Sequence, residues 1–279
     1  MKSLYIGILS ILFLIFTACE EKIEIDLNAV NPKVVIEAHL KNTNRLQEIF
    51  VTRTVNFDER KPFEAIEDAN VVVRTNNGRV YSFISAGNGR YIHNNMTLNE
   101  QNTYTLEVSV ENEVYTATSN MPSFVEIDSL GITKENIFNE TYYFVNLKFH
   151  DIANVPNYYL YTMSVNDQPF KFNAVFSDKF NDGLNVTHQL GGNDLTLISG
   201  DQIKIRRHLI AKDVHKYWSD YQSTNPGSAS PGNPTSNISN GALGYFSVSN
   251  VKEYSVEIQD QSEELDAGIK VSRIKRVGN

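Results

Sequence analysis

Residues 103–119, TYTLEVSVENEVYTATS, decide the fold class. Tyr104, Leu106, Val108 and Val110 alternate with Thr105, Glu107 and Ser109, the period of two that a half-buried strand requires. Glu111-Asn112-Glu113 breaks the pattern and Val114–Ser119 resumes it, so the stretch reads as a β-hairpin. The same grammar extends toward the N-terminus. Val34–Leu40 (VVIEAHL) and Glu48–Val55 (EIFVTRTV) are strands, the second with Ile49, Val51, Arg53 and Val55 on one side. Asn56 to Asp68 is a polar loop containing Pro62. Val71-Val72-Val73 and Val80–Ser85 flank Asn76-Asn77-Gly78, where Asn-Gly predicts a tight turn with positive φ at both residues. Gly87-Asn88-Gly89 turns into Arg90–His93. Short strands at this spacing predict an immunoglobulin-like or transthyretin-like β-sandwich over residues 33–122. It closes at Met121-Pro122, because proline cannot continue a central strand.

Toward the C-terminus the pattern remains β. Val125–Thr133, Tyr142–His150, Tyr158–Val165, Phe170–Phe176, Leu195–Ile198 and Gln202–Ile210 are predicted strands, with Asp178 to Gln189 a polar loop. One helix is predicted, from Ala211 to about Thr224. Val214, Tyr217, Trp218 and Tyr221 fall at i, i+3, i+4 and i+7 and make one apolar stripe. Asn225–Gly241 (NPGSASPGNPTSNISNG) is a long loop, Gly244–Val248 and Glu253–Ile258 are the last strands, and 259–279 is a tail expected to be poorly ordered. Residues 123–258 therefore form a second, β-rich domain with one amphipathic helix.

Composition bounds the partners. The chain of 279 residues carries a net charge of −8, and without residues 1–18, which hold only Lys2, the same count gives −9. Such a chain lacks the basic face that nucleic acid requires. Anionic headgroups would repel it, so any membrane attachment must come from elsewhere than charge. Aromatics at 11% supply ample core.

An attachment is written at the start. MKSLYIGILSILFLIFTAC has a positive residue, an apolar run from Leu4 to Phe16 and then Thr17-Ala18-Cys19. The run is shorter than the about 20 residues that span a bilayer, so 1–18 reads as a secretory signal with a small-residue cleavage site. Cys19 is the only cysteine. It stands where the lipobox of bacterial lipoproteins places its lipidated cysteine, with Phe16 departing from the aliphatic residue usual there. A lone cysteine in an exported chain can form no internal disulfide, and acylation gives it a role. Residues 19–32, with Glu20, Glu21, Glu24 and Asp26, read as an acidic tether.

No catalytic signature is present: no nucleophile elbow, no His-Glu-x-x-His and no P-loop. The sequence calls for no cofactor and no metal. His208 and His215 straddle a strand-to-helix junction, and Asp178, Asp182 and Asn185 surround Gly183, but ordinary half-buried histidines and a plain polar turn describe both sets better. Tyr217, Trp218 and Tyr221 with Asn237 and Asn240 are the candidate ligand or partner surface. Against that stands the simpler expectation that the aromatic stripe packs the helix onto its sheet.

Four pieces of sequence carry a family resemblance. They are Cys19 with its acidic lead into Val34-Val35-Ile36-Glu37, Ala69-Asn70-Val71-Val72-Val73 before a glycine turn, Tyr115-Thr116-Ala117-Thr118 to Met121-Pro122, and Asn237-Ile238-Ser239-Asn240-Gly241 leading to Gly244-Tyr245-Phe246. Together they resemble the Bacteroidota lipoproteins grouped as domain of unknown function 4249. The resemblance implies an outer-membrane lipoprotein that works beside a TonB-dependent receptor in nutrient uptake, and the acidic residues after Cys19 resemble the surface-export signal of such lipoproteins as much as a solvated linker. It implies no catalytic residues. The expected function is a non-catalytic binding or accessory module, with a structural or adhesive surface protein as the alternative.

Overall fold

A computed structural model describes residues 32–55, 61–138, 140–191, 196–224, 232–259, 271–272 and 275–276. The predicted signal and Cys19, the tether up to Asn31, residues 225–231 of the long loop and most of the tail lie outside these. The described residues are mainly β with a single helix, and no helix among them is long and apolar enough to cross a membrane.

The first half supplies β1 (Val34–Lys41), β2 (Gln47–Arg53), β3 (Glu64–Ala65), β4 (Asn70–Thr75), β5 (Val80–Ser85), β6 (Arg90–His93), β7 (Thr103–Val110) and β8 (Glu113–Asn120). Alternation decides which face each strand buries. β7 buries Tyr104, Leu106, Val108 and Val110, and β8 faces the same core with Tyr115 and Ala117. β5 turns the corner between two layers: Val80–Phe83 pairs with β4, and Ile84-Ser85 pairs with β6. The layers β5-β4-β7-β8 and β6-β2-β1 enclose one core that includes Ile36, Ile49, Phe83, Tyr91 and Leu106. The Asn-Gly turn differs from expectation. Only Gly78 takes positive φ, at +84°. The loop has three residues, with the Thr75 N–H bonded to the Arg79 carbonyl and the Gly78 N–H to the Thr75 carbonyl, a turn that needs one left-handed residue instead of two. Positive φ at both residues occurs instead at Asn166-Asp167, +49° and +60°, and at Asn88-Gly89 and Asn240-Gly241.

The second half supplies β9 (Ser129–Ile137), β10 (Glu140–His150), β11 (Tyr158–Val165), β12 (Lys171–Ser177), β13 (Asn185–Leu190), β14 (Gln202–Leu209), α1 (Lys212–Ser223) and β15 (Leu243–Glu257). A small sheet, β13-β10-β9, faces the run β12-β11-β14-β15 across a second core containing Leu147, Phe149, Tyr161, Ile205 and Val256. Several boundaries depart from expectation. β9 starts at Ser129, although Val125 and Ile127 ahead of it are buried. Asn185–Leu190 is a strand where a loop was expected, with Val186, His188 and Leu190 facing inward. His188 masks the pattern by being polar, yet its ring stacks on Phe176 at 4.1 Å. Leu197 is buried without belonging to a strand. Of the tail, β16 (Val271–Ser272) pairs with β9 and β17 (Lys275–Arg276) with β15.

The largest departure is β15. The two strands expected at 244–248 and 253–258 are one strand of 15 residues. Leu243–Ser249 pairs in parallel with Val35–Lys41 of β1, and Asn250–Glu257 pairs antiparallel with β14. Its first half gives Phe246 and Val248 to the first core, and its second half gives Tyr254 and Val256 to the second. The polar stretch in the middle, Ser249-Asn250, continues the strand because its groups are bonded. The Asn250 amide donates to the Pro122 carbonyl, and the Val251 N–H donates to Asn42 Oδ1. The resulting sheet runs from β12 to β8 without closing into a barrel among the described residues.

The edge strand β8 is covered by the segment leading into β15. The Ser239 N–H donates to the Thr116 carbonyl, the Thr116 N–H to Ser239 Oγ, and Asn240 Nδ2 to the Val114 carbonyl. This protects an otherwise open row of backbone groups.

Gly244 holds the parallel pair close. Its φ is +87°, and a Cβ there would collide with the carbonyl oxygen of Ile36, its partner in β1. Gly244→Ala is therefore expected to lower unfolding free energy by about 2–4 kcal/mol, through strain plus forced separation of the strands. Urea denaturation of the variant against the parent chain checks this, and an unchanged midpoint would show that the strands can separate without cost.

Candidate functional site

The parallel pair also shapes a concave surface among the described residues. While Ile36, Ala38 and Leu40 point into the first core, Glu37, His39 and Lys41 point outward. Register places Phe50 of β2 on one side of Glu37 and Tyr245 of β15 on the other. These five residues, with Asn44, Leu46, Gln47 and Glu48 of the β1–β2 hairpin, line a concavity of about 270 Å³. Gln47 fixes the hairpin wall. Its amide nitrogen donates to the carbonyls of Lys41 and Asn44 at 2.9 and 2.8 Å, and its amide oxygen accepts the Lys41 N–H at 2.9 Å.

The floor is polar but weakly charged. His39 Nε2 lies 2.8 Å from Ser249 Oγ, and its ring is 5.1 Å from that of His208 on β14. Burial first, and then Lys41, push the His39 imidazole down to about 3. Burial, His39, Lys41 and Arg206 hold His208 well below the ordinary histidine value, so both rings are neutral near pH 7. His208 Nδ1 and Ser247 Oγ are buried without a partner beside this floor. The Lys41 ammonium is half-buried and makes no ion pair among the described residues. Burial and nearby Arg206 lower its pKa, against the pull of Glu48. Arg206 itself is paired with Glu253 at 2.9 Å and lies over the Phe170 ring.

Tyr245 connects the concavity to the helix. Tyr217 of α1 lies 4.7 Å from the Tyr245 ring, and Trp218 lies 5.4 Å from it. Trp218 stacks on Phe172 of β12 at 5.1 Å and 9°, and Tyr221 meets the same Phe172 edge-on. Val214, Leu160 and Ile210 lie buried beneath these rings. The stripe thus packs α1 on the outer face of its sheet, with Tyr221 the most open ring, 41% exposed. Burial and Glu37 push the Tyr217 phenol up to about 12. The chain returning from the long loop is pinned to the helix, where Asp220 pairs with Lys216 and accepts the Thr235 N–H at 3.0 Å.

Asn237 and Asn240 are engaged with the backbone. Asn237 forms a two-way clamp on Phe246, its amide nitrogen donating to the carbonyl and its oxygen accepting the N–H, both at 2.9 Å. Asn240 is held on β8, as described above. The structure thus sets Tyr217 and Trp218 against Tyr245 and Tyr221 against Phe172 and Trp218, while the two asparagines set the course of the chain into β15.

The model of the family described as domain of unknown function (DUF4249) matches residues 20–255. The chain belongs to this family. Curated proteins offer no match. The DUF4249 region thus takes in both cores, the helix and nearly all of β15.

Two other polar sets in this DUF4249 chain have definite structural roles. Asp178 and Asp182 do come together, but with Asp151, their oxygens within 4.8 Å of one another. Asn185 faces His150 instead. Each carboxylate clamps a loop: Asp178 accepts the Asn157 N–H at 2.6 Å, Asp182 the Asn154 N–H at 2.8 Å, and Asp151 the Tyr159 hydroxyl at 2.9 Å. Burial raises the Asp178 pKa, the Asn157 N–H opposes this, and Asp151 and Asp182 add to it. His208 pairs with His39, whereas His215 leans on Tyr158 at 5.2 Å.

Glu37, His39 and Lys41 were not singled out from the sequence, although their alternation with Ile36, Ala38 and Leu40 is a local signal. What the sequence does not reveal is that Tyr245, 208 residues away, stands beside Glu37, because parallel pairing of distant strands leaves no local signal.

Acid should weaken the fold through the buried imidazoles. An unfolded histidine takes up its proton near 6.5, whereas His39 and His188 do so only near about 3. Between these values the unfolded chain binds more protons, so the neutral histidines stabilise the fold fully above 6.5 and progressively less as pH falls. Urea midpoints should therefore drop between pH 7 and pH 4, and His39→Gln should flatten part of that slope. A midpoint independent of pH over this range would refute the reading. Asn237→Ala, which removes both bonds to Phe246, should cost about 1–3 kcal/mol in the same assay at neutral pH.

Proposed function

We propose that this chain is an outer-membrane lipoprotein, anchored by lipid on Cys19, that acts as a non-catalytic binding or accessory module beside a TonB-dependent receptor. The observation that carries the binding part is the concavity lined by Glu37, His39, Lys41, Phe50 and Tyr245, set against the aromatic helix. The anchor rests on the start of the sequence, where an apolar leader precedes a lone cysteine and an acidic tether. Several acyl chains on one cysteine meet the requirement of more than one lipid for stable attachment. The receptor partner and the outer membrane rest on the resemblance to Bacteroidota lipoproteins. The contact surface is the flank of α1 around Tyr217, Trp218 and Tyr221 with the adjoining loop at 225–241. One observation favours the alternative of a structural or adhesive spacer: β15 is a single strand that contributes side chains to both cores.

Metabolic labelling with a palmitate analogue, comparing the natural chain with Cys19→Ala, tests the anchor. Label should be present on the first and lost on the second. Affinity capture from detergent extracts of the membrane then tests the partner: a barrel receptor in the eluate supports the accessory reading, and its absence favours the spacer. Absence of label on both chains removes the membrane argument.

A further inference from the structure

We propose that the concavity between β1, β2 and β15 is a site for a short zwitterionic peptide, with the ligand's free carboxylate at Lys41 and its free ammonium at Glu37. This deepens the binding-module reading and rests on it.

Two of the charges around the concavity are already satisfied. Glu48 is paired with Arg90 at 2.5 Å, and Arg206 with Glu253 at 2.9 Å. Lys41 and Glu37 line the same concavity, and neither makes an ion pair among the described residues. They stand on one face of β1, four residues apart, so their Cα atoms are separated by about 13 Å along the strand. One unpaired charge of each sign at opposite ends of a single concavity fits a ligand with the same two charges at its own ends. An extended peptide advances about 3.3 Å per residue, so two or three residues span roughly 7–10 Å and the two side chains cover the remainder.

The surroundings agree. His39 stands midway and is neutral at pH 7, so it can meet a peptide group without adding charge. Phe50 and Tyr245 flank Glu37, and Leu46, 41% exposed, stands at the rim, giving small side chains apolar walls. About 270 Å³ is room for two or three small residues. Among the described residues the half-buried Lys41 ammonium has no ion-pair partner and only the pull of Glu48 set against its burial, and a ligand carboxylate would lower that cost. A dicarboxylate would place one of its charges against Glu37, and a diamine would place one against Lys41. A neutral sugar would leave both unpaired.

The test is calorimetric titration of the full chain in detergent with trialanine, N-acetyl-trialanine and trialanine amide. Trialanine should bind, and each capped form should bind at least about tenfold more weakly, since each cap removes one ionic contact. Lys41→Met should abolish the difference between acid and amide while keeping the difference between amine and acetyl. Glu37→Gln should do the reverse. Equal binding of all three peptides to the parent chain would overturn the proposal, as would no binding at about 10 mM, the weak end of specific recognition. These comparisons on the parent chain do not depend on how the variants fold. If peptides fail to bind while the labelled chain still captures a barrel receptor, the peptide site falls and the accessory reading stands. If trialanine binds with the expected discrimination but no receptor is captured, the site stands and the receptor assignment falls.

Discussion

The structure depends on one pairing, the parallel contact between the first described strand and the last long one. Val35–Lys41 lies beside Leu243–Ser249, joining residues about 208 positions apart. Neither core is complete without the strand that makes this contact. Phe246 and Val248 close the first core, and Tyr254 and Val256 close the second. Loop closure over such a separation adds little to the equilibrium cost, because that entropy grows only with the logarithm of length. It weighs more on rate, since non-local pairings must form before they are rewarded. The asparagines and serines leading into β15 lower the burden by fixing its entry: Asn237 clamps Phe246, and Ser239 and Asn240 hold the preceding turn on β8.

The second core shows how a charge can be held inside a sandwich. Arg207 is fully buried, with one nitrogen donating to the Val125 carbonyl at 2.6 Å. Its guanidinium lies 4.0 Å from the Phe149 ring centre and 4.6 Å from that of Tyr159. Aromatic faces therefore take the place of a carboxylate, an arrangement worth more when water is excluded. The same environment raises Tyr161 to about 12 through burial, against the opposing influence of Arg207, and keeps His188 neutral. The Arg207–Val125 bond also explains why the segment before β9 is buried without being a strand: its carbonyl is used by a side chain from another sheet.

Most individual strands were legible because their side chains alternate, and the helix because its apolar residues recur at helical spacing. Legibility failed where a polar residue faced inward. His188 hid β13, since its ring is accepted by Phe176, Phe149 and Tyr161 that only the fold brings near. Ser249-Asn250 looked like a break in β15, since their partners, Asn42 and Pro122 among them, come from distant turns. The same limit applies to the concavity. Glu37, His39 and Lys41 went unremarked within a strand read only as Val34–Leu40, and Phe50 and Tyr245 join them only through register.

By itself, then, the sequence determined the local facts: β content, one amphipathic helix, an acidic chain behind an apolar leader with a single cysteine, and the inward face of β7. These follow from backbone periodicity and side-chain chemistry, which act over a few residues. Only the tertiary structure decided that β15 is one strand serving two cores, that the aromatic stripe covers a sheet beside Tyr245, and that Lys41 and Glu37 face one concavity. Those depend on which strand lies beside which. Backbone hydrogen bonding is nearly indifferent to that choice, and it is settled by packing among residues far apart in the chain.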